Sequence, residues 1–415
     1  MHVLFLTDNF PPEVNAPASR TFEHCCEWVK RGHRVTVVTC APNFPKGKVF
    51  PGYQNRLWQT EEMNGIRVLR VWSYISANEG FARRILDYTS FMLTASLAAP
   101  FVRDVDVVIG TSPQFFTAVA AWFVGRVKRR PFVFELRDLW PESIRAVGAM
   151  KHEAALDLIE KLELFLYRQS AAVVSVTHSF KDNLMARGIS GEKIAVVTNG
   201  VDLSRFHPRP KDAELEERFQ LNGRFVAGYI GTHGMAHALD TLLDAAAELE
   251  TEGGSVPFSL LFLGDGADKA RLIEKARSLG LRHVHFIDTV PKDQVARYWS
   301  LLDASIIHLK RTPLFETVIP SKLFECMGMG LPVVLGVAGE TARIVQREGV
   351  GLVFEPESVA GLVAALRQLR DDPELLAGCR ARCVEAARRY DRRALAEAML
   401  ETVLDQAGHR RSSPV

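Results

Sequence analysis

Short apolar segments alternate with helix-forming segments along almost the whole chain, and this alternation restricts the possible folds more than any other feature. In the first half, the apolar segments include residues 2–7, 31–40, 65–74, 171–178 and 193–202. They are rich in Val and Ile, and most lack the apolar–polar alternation of a strand with one solvated face. Buried strands connected by helices are typical of a parallel sheet covered on both faces. The sequence therefore predicts an α/β fold.

The alternation breaks once, at the polar and proline-containing segment 206–221, and then restarts. A chain of 415 residues is also too long for a single core, because domains typically contain ~100–200 residues. We therefore predict two doubly wound, Rossmann-like domains that face a central cleft, residues 1–205 and 206–387. A helix at about 388–407 is predicted to pack back on the first domain. Ligands of such sheets bind at the carboxyl ends of the strands.

Composition argues against several classes of protein. A hydrophobic fraction of 47% with 24% charged residues is typical of a globular protein in water, and a net charge of +2 gives no indication of nucleic-acid binding. The six cysteines form no Cys-x-x-Cys motif, and no His cluster has zinc spacing, so we expect free thiols in a reducing cytoplasm and no metal site. The first strand begins without the features of a secretory signal. The longest apolar run, residues 91–102, is too short to span a bilayer.

The segment 313–334, PLFETVIPSKLFECMGMGLPVV, carries the clearest indication of a binding site. Pro320 and Ser321 predict a helix start that Ser321 can cap, and the glycine and proline near its end predict a stop before a short buried strand. Main-chain N–H groups, Lys322 and Glu325 would then share one helix N-terminal end. Such an arrangement can hold a phosphate and a sugar hydroxyl together. The alternative is a surface helix with a single ion pair.

Four motifs indicate a family. They are Thr-Asn-Gly-Val-Asp at 198–202, Gly-Tyr-Ile-Gly at 228–231, Phe-Leu-Gly-Asp-Gly at 262–266 and the Gly-Met-Gly-Leu-Pro-Val-Val form that ends the segment 316–334. In this order and spacing, the chain resembles the GT-B glycosyltransferases of family 4 over essentially its whole length. The resemblance implies a GT-B fold and an enzyme that transfers a sugar from a nucleotide-sugar, UDP-linked here, with retention of configuration. It implies neither a metal nor any other cofactor.

Three further stretches resemble a narrower group within that family. They are 11–20 with PPE and APASR, 137–143 with RDLWPES, and 317–325 with TVIPSKLFE. This group consists of bacterial surface-polysaccharide transferases, including enzymes that move N-acetylfucosamine in O-antigen and capsule assembly. The resemblance implies a sugar acceptor carried on a lipid, and with it contact between the protein and the inner face of the membrane.

The resemblance also implies a donor site in the second domain. Glu325 stands where the family binds the donor ribose, whereas Thr317 replaces the acidic residue that lies eight positions earlier. The basic residues that usually follow the Gly-Tyr-Ile-Gly strand are absent, and His237 lies nearby, so we predict that Lys322 and main-chain N–H groups neutralise the diphosphate. The predicted donor-binding residues are Gly231, Thr232, His233, Gly234, the Asp265-Gly266 pair, Thr317, Ile319, Pro320, Ser321, Lys322 and Glu325.

The predicted acceptor and catalytic residues lie in the first domain. Asn15 stands where the family often has a pair of glycines, and Arg20 on the following helix either reaches an acceptor phosphate or is an ordinary exposed helical Arg. Arg137 replaces the family's common His. Asp138 beside it, together with Glu142, is predicted to orient the acceptor hydroxyl or to take its proton. The alternative is that these two carboxylates cap the helix that follows.

Two other patterns have simpler readings. Asp104-Val105-Asp106 resembles the metal-binding motif of other transferases, but it precedes a strand and is predicted to be a turn. No Gly-x-Gly-x-x-Gly follows the first strand, which argues against a dinucleotide cofactor.

The basic cluster Lys128-Arg129-Arg130, with the apolar helix predicted at 85–102, would suit an anionic membrane, although a solvated surface is the alternative.

The sequence thus favours a retaining glycosyltransferase. No enzymatic nucleophile is evident, which favours front-face displacement, in which the leaving phosphate helps to deprotonate the acceptor and the protein positions both substrates. Two alternatives remain open from the residues. One is a nucleotide-sugar 2-epimerase of the same two-domain form, and the other is a nucleotide-sugar-binding subunit without catalytic activity.

Overall fold

The computed structural model describes residues 1–13, 15–44, 46–76, 81–140, 142, 153–251 and 256–408. The chain forms two compact units. The first contains Met1–Thr198 and Arg392–Val415, and the second contains Asn199–Asp391. The chain thus leaves the first unit a few residues before the predicted boundary at 205 and returns to it shortly after 387.

The first unit is built on one eight-stranded sheet with the order β3-β4-β2-β1-β5-β6-β7-β8. All neighbouring strands are parallel except β3 and β4. The strands are β1 (His2–Leu6), β2 (Arg34–Cys40), β3 (Trp58–Met63), β4 (Ile66–Val71), β5 (Val107–Thr111), β6 (Phe132–Leu136), β7 (Ala172–Ser175) and β8 (Ile194–Val196). The helices between them are α1 (Ala16–Lys30), α2 (Phe81–Ala98), α3 (Phe115–Lys128), α4 (Glu153–Gln169) and α5 (His178–Ala186).

The β3–β4 hairpin is an element that the sequence analysis missed. Residues 65–74 were expected to be a single strand, but β4 pairs with an antiparallel neighbour through a turn at Asn64 and Gly65. Both turn residues have positive φ, 50° and 78°, which is the backbone of a tight hairpin turn. The Asn-Gly pair was therefore the signal for this hairpin.

The second unit is built on a six-stranded parallel sheet with the order β11-β10-β9-β12-β13-β14. Its strands are β9 (Phe225–Ile230), β10 (Phe258–Leu263), β11 (Val284–Ile287), β12 (Ala304–His308), β13 (Val333–Gly336) and β14 (Gly351–Val353). Its helices are α6 (Ala213–Arg218), α7 (Asp240–Thr251), α8 (Lys269–Ser278), α9 (Val295–Trp299), α10 (Lys322–Met329), α11 (Glu340–Glu348), α12 (Val359–Asp371) and α13 (Pro373–Arg389). The prediction of two Rossmann-like α/β domains is confirmed.

The last helix, α14 (Arg392–Gln406), belongs to the first unit and packs on α1. The indole N–H of Trp28 donates to the carbonyl of Ala396 at 2.8 Å. Met399 is fully buried in the apolar layer that also contains Val3 and Phe5 of β1. Burial of such side chains is the main source of stability for a packed helix. The α14 helix therefore completes the core on one face of the first sheet.

Neither sheet is accompanied by a helix suited to a bilayer interior. Within the described ranges, none of the helices combines the length and the apolar character needed to cross a membrane.

Asp104 has positive φ, and Asp106 accepts a hydrogen bond from the N–H of His2 at 2.7 Å. These two acidic residues therefore form the turn that was predicted before β5.

Candidate functional site

In the second unit, the loops that follow β9 and β10 are joined by main-chain hydrogen bonds. The N–H of Gly231 donates to the carbonyl of Leu263 at 2.9 Å. The N–H of His233 donates to the carbonyl of Asp265 at 2.9 Å, and the N–H of Asp268 returns to the carbonyl of His233 at 3.0 Å. Because β9 and β10 are neighbouring parallel strands, both loops lie at the carboxyl edge of the sheet. This edge is where α/β sheets bind ligands.

Two glycines make this close approach possible. A Cβ atom on Gly264, whose φ is +144°, would lie 2.0 Å from the carbonyl oxygen of Gly231. A Cβ atom on Gly266 would lie 2.3 Å from the carbonyl oxygen of His233. No side chain fits at these distances, so the glycines of the Gly-Asp-Gly motif allow the two loops to pack together. A cavity of about 270 Å³ opens beside the loops. Its lining includes Gly231, Thr232, Gly264, Asp265, Thr289 and Val290.

Lys322, the first residue of α10, places its ammonium against the same loop. Its Nζ lies 3.8 Å from the centre of the Tyr229 ring, and a Cβ atom on Gly231 would lie 2.7 Å from that nitrogen. Burial lowers the pKa of Lys322 to about 8. Among the described residues, Lys322 has no carboxylate within ion-pair distance. Lys322 is thus a half-buried cation at a helix start, without a salt bridge within the described residues and with the Glu325 carboxylate as a more distant negative charge. Such a cation suits an anionic ligand.

The start of α10 differs from the prediction in one detail. The helix begins where expected, with Leu323 N–H bonded to the carbonyl of Pro320 at 3.0 Å. However, Ser321 has helical φ and ψ, and its hydroxyl makes no capping hydrogen bond. The predicted Ser cap is therefore wrong, because a residue already in helical conformation does not direct its side chain back to the first turn. Ser321 is exposed, whereas Ile319 is buried.

Glu325 lies one turn after Lys322 on α10 and is half-buried. A spacing of three residues puts both side chains on one side of the helix. Thr317 is half-buried at the end of a 3₁₀ turn, whereas the neighbouring Glu316 is exposed. The carbonyl of Glu316 lies so near Gly339 that a Cβ atom there would be 2.0 Å away. The structure thus brings Lys322, Glu325 and the glycine loops to one edge of the sheet.

The rings of His233 and His237 do not face this edge freely. His233 is fully buried, with its ring 5.8 Å from that of Phe262 and 6.4 Å from that of Phe286. Burial, assisted by Lys269, lowers its pKa to about 4, and the pKa of His237 is likewise lowered to about 4 by burial. Both rings are therefore neutral at neutral pH. The ring of His233 is therefore not placed to contact a donor. Its main-chain N–H and carbonyl already form hydrogen bonds with Asp265 and Asp268 of the β10 loop.

In the first unit, Arg20 is buried rather than exposed. Its Nε donates to the Glu135 carboxylate at 2.9 Å, and the two side chains are 6% and 1% exposed. Its terminal nitrogens donate to the carbonyls of Val197 and Thr198 at 2.9 and 2.6 Å. The alternative of an exposed surface Arg is therefore wrong. Contact with an acceptor phosphate stays a prediction, and these bonds favour a structural role that ties α1 to β6.

Arg137 and Asp138 follow β6 directly. Their N–H groups both donate to the hydroxyl of Ser112, at 2.7 and 3.2 Å. Burial lowers the pKa of Arg137 to about 10, although the nearby Glu135 opposes this shift. One terminal nitrogen of Arg137 is buried and has no hydrogen-bond partner in the described part of the chain. The catalytic role of Arg137 stays a prediction.

Asn15 and Glu142 have local partners. The Asn15 side chain accepts from the N–H of Ala18 at 2.8 Å and thereby caps α1, while its amide donates to Asn9 at 2.6 Å. Glu142 accepts from the amide of Asn183 at 3.1 Å. Its predicted alternative role as a helix cap involves residues 143–152, which lie outside the described residues. Asn15 and Asp138 both line one cavity of the first unit, whereas Glu142 is not in the lining of that cavity and contacts Asn183.

That cavity, of about 290 Å³, is the feature that the sequence analysis missed. It lies where β1, β2, β5 and β6 end, and one side is closed by α2. Its lining includes Asp8, Asn9, Glu13, Asn15, Asn43, Phe44, Arg84, Asp87, Tyr88, Asp138 and Trp140. Polar residues directly after strand ends, such as Asp8, were an available signal. No local pattern marks Asp87, because its position depends on how α2 packs.

Two family models match the chain, one over each half. A model described as a Glycosyl transferase 4-like domain matches residues 15–200. A second model, described as Glycosyl transferases group 1, matches residues 211–390. The two matches do not overlap, and their sequence ranges fall largely within the first and second units respectively.

Individual proteins are also similar to this chain, in sequence or in structure. WcaI of Escherichia coli K12, named as a glycosyl transferase of colanic acid biosynthesis, is 25% identical over 89% of this chain and 92% of its own length. Sucrose-phosphate synthase of Thermosynechococcus elongatus superposes with a TM-score of 0.73 at 15% identity, over 99% of this chain and all of its own. Anabaena HepE, solved with UDP and glucose, superposes with a TM-score of 0.71 at 17% identity, over 98% and 100%. At such identities, the two structural matches show the fold.

The buried Arg20–Glu135 pair generates a stability prediction. Arg20→Met leaves Glu135 buried without its partner, and we expect the free energy of unfolding to fall by about 3–5 kcal/mol in urea denaturation. The control is Arg31→Met, which breaks the exposed pair with Glu397 and should cost less than about 1 kcal/mol. If both variants lose the same small amount, the structural role of Arg20 is wrong and an acceptor contact becomes the better explanation.

Proposed function

Because the chain belongs to the GT-B glycosyltransferases of family 4, we propose that its second unit binds a UDP-sugar at the edge around Lys322 and that its first unit binds the acceptor. The family and its relatives establish the coarser statement, that the chain is a glycosyltransferase using nucleotide-sugar donors. The observation that carries the proposed site is the ammonium of Lys322, which lies beside the glycine loops and forms no salt bridge within the described residues.

Three features of this edge suit the donor diphosphate. The β9 loop lacks the basic residues that are usual in the family, and the ammonium of Lys322 supplies a positive charge in their place. The start of α10 adds the favourable end of a helix dipole. In addition, the absence of a Cβ atom at Gly231 lets the ammonium approach the main chain closely. The diphosphate would therefore lie between the β9 loop and the first turn of α10.

The nucleoside would occupy the neighbouring positions. Glu325, on the same side of α10 as Lys322, can accept hydrogen bonds from two ribose hydroxyls at once. The cavity between the β9 and β10 loops, with Thr289 and Val290 at its far side, has the place and size for a base. Uracil is favoured because Anabaena HepE, which shares the fold, was solved with UDP and with UDP-glucose.

The proposed chemistry is a front-face displacement with retention. The bond from the anomeric carbon to the β-phosphate oxygen breaks, and the acceptor oxygen forms its bond to that carbon on the same face. The acceptor proton passes to the departing phosphate oxygen. Lys322 stabilises the negative charge that develops on the leaving diphosphate, which is the kind of electrostatic contribution that preorganised sites make. Asp138 would orient the acceptor hydroxyl.

A lipid-linked saccharide is the proposed acceptor, since WcaI is named for the biosynthesis of a polysaccharide. An apolar face on α2 supports a membrane contact: Leu86, Leu93 and Leu97 are 50%, 58% and 72% exposed and follow helical spacing. Phe101, just beyond the helix, is 75% exposed. An exposed apolar stripe with basic neighbours suits an anionic lipid surface.

The basic neighbours are not quite those predicted. The ammonium of Lys128 donates to the carbonyls of Pro100 and Val102, so it serves to join α3 to the end of α2. Arg129 and Arg130 are exposed, as is Arg126 one turn earlier. The proposed membrane contact therefore rests on these three arginines and excludes Lys128.

The lowered pKa of Lys322 predicts a pH dependence of UDP binding. The protonated ammonium attracts the diphosphate, so the affinity for UDP should fall as the pH rises through about 8. Between about pH 7 and 9, we expect a loss of roughly tenfold by calorimetry, because an unperturbed lysine would stay charged over this range. Lys322→Arg keeps its charge throughout and should show a much smaller loss. Equal pH dependence in both proteins would contradict the role of Lys322.

A ribose contact of Glu325 can be tested with two ligands. Glu325→Gln should weaken UDP binding by about 10–100-fold, as expected for loss of charged hydrogen bonds, but should hardly change the binding of 2′,3′-dideoxy-UDP, which lacks both hydroxyls. Glu316→Gln is the matched control, because Glu316 is exposed and lies nearby. Calorimetry measures all six affinities. If Glu325→Gln weakens both ligands equally, or neither, the proposed ribose contact is wrong.

A further inference from the structure

The cavity of the first unit has an unusual balance of charge. Four carboxyl side chains line it, and Arg84 is the one cationic side chain in its described lining. The carboxyl groups belong to Asp8, Glu13, Asp87 and Asp138. Such a site has more hydrogen-bond acceptors than cationic side chains.

Glu13 has one carboxylate oxygen that is not used for hydrogen bonding within the described residues. The residue is 4% exposed, and its Oε1 accepts from the N–H groups of Asn43 and Phe44 at 2.7 and 2.8 Å. Its Oε2 is buried and has no hydrogen-bond partner among the described residues. A buried acceptor without a donor is costly, so a ligand hydroxyl or ammonium at this position would be favourable.

The ionisation of the neighbouring acids points in the same direction. Burial, together with the negative charges of Asp87 and Glu13, raises the pKa of Asp8 to about 8. Burial raises the pKa of Asp87 to about 7, even though Arg84 opposes the shift. The carboxyl groups therefore resist becoming charged together. An additional negative charge in the cavity would meet the same repulsion, whereas a neutral donor or a cation would not.

A metal ion is not the occupant that this geometry favours. Within the described residues, no three His, Cys, Asp or Glu side chains are positioned to hold a metal together. The acids instead surround a space of about 290 Å³, near the lower end of small-molecule sites at ~300 Å³. Spread-out acceptors around such a space suit a ligand with several donors at separate positions.

Aromatic side chains complete the lining. Trp140 is 7% exposed, and its ring is stacked on Phe115 with an angle of 11° between the planes. Tyr88 packs against Trp140 with ring centres 6.2 Å apart, and Phe44 is 42% exposed at the cavity. Fixed aromatic rings give an apolar surface next to the acids. The C–H faces of a sugar ring are apolar and its edges carry hydroxyl donors, so a pyranose matches both parts of this lining.

We propose that this cavity binds a pyranose unit of the acceptor that carries no anionic group, with hydroxyl or ammonium donors directed to Glu13 and Asp87. The assignment to the acceptor rests on the proposed function. It adds a selection by charge: neutral and amino sugars are accepted, and uronic acids and sugar phosphates are rejected. Any phosphate of the acceptor would then lie outside the cavity.

The test uses three methyl pyranosides with the same ring and different charge. They are methyl glucoside, methyl glucosaminide and methyl glucuronide, together with the corresponding galacto series. Binding to the full chain is measured by NMR titration near neutral pH. In at least one series, we expect the neutral and amino sugars to bind and the uronide to bind at least about tenfold more weakly, because of charge repulsion at short range. The comparison of the first two shows whether hydroxyl or ammonium donors are preferred.

Two variants locate the effect. Glu13→Gln places an amide where the unpaired carboxylate oxygen lies, and it should weaken the neutral sugar by roughly fivefold or more. Asp87→Asn removes one acid and should reduce the discrimination against the uronide. The matched control is Glu62→Gln on β3, since Glu62 is exposed and lies outside the cavity lining. It should behave like the natural chain.

Three results would overturn the inference: uronide binding as tight as that of the neutral sugar, cavity variants that behave like Glu62→Gln, or no binding of any pyranoside. UDP titrations on the same samples separate this inference from the proposed function. If UDP binds while no sugar does, only the acceptor cavity is wrong. If UDP fails to bind, the donor site falls, whatever the pyranosides show.

Discussion

A lysine ammonium held over an aromatic ring, with no salt bridge to a carboxylate among the described residues, is the interaction on which the proposed donor site of the second unit depends. Partial burial of a charge without a counter-ion is unfavourable, and the contact of Lys322 with Tyr229 offsets only about 2 kcal/mol of that cost. The same burial lowers the pKa of Lys322 to about 8. A bound diphosphate would remove the imbalance. In the proposed site, the charge of Lys322 would therefore stabilise a bound ligand rather than the folded protein itself.

The first unit contains two different kinds of buried charged group, a neutralised ion pair and a partly unpaired carboxylate. Arg20 and Glu135 neutralise each other in the interior, and this pair holds α1, β6 and the end of β8 together. At the carboxyl edge of the same sheet, one carboxylate oxygen of Glu13 is buried without a hydrogen-bond partner among the described residues. In the proposed function, the two units are chemically complementary to the two substrates. One presents a cation suited to a diphosphate, and the other presents acceptors suited to sugar hydroxyls.

The fold could be predicted from sequence because its causes are local, and the residues of the proposed donor site were picked out by the same kind of local pattern. β-Branched runs define buried strands, and the glycines at 231, 264 and 266 mark close approach of the main chain. Burial of particular side chains could not be predicted in the same way. The ion pair of Arg20 joins residues 115 positions apart, and His233 is enclosed by aromatic rings from β10 and β11. The acidic cavity depends on α2 bringing Asp87 to the ends of other strands. The β3–β4 hairpin differs, since its Asn-Gly turn was visible in the sequence.

The most direct test of the donor site is a thermal-unfolding panel on the full chain with UDP, GDP, dTDP and ADP, each beside its glucose-linked form. A ligand at about 100 times its Kd stabilises the folded state by about 2.7 kcal/mol, so a true donor should raise the unfolding midpoint clearly. We expect UDP and UDP-glucose to raise the unfolding midpoint, and the other nucleotides to raise it much less. A larger shift with another nucleotide would contradict the assignment of UDP. No shift with any nucleotide would contradict the proposed role of the unpaired lysine.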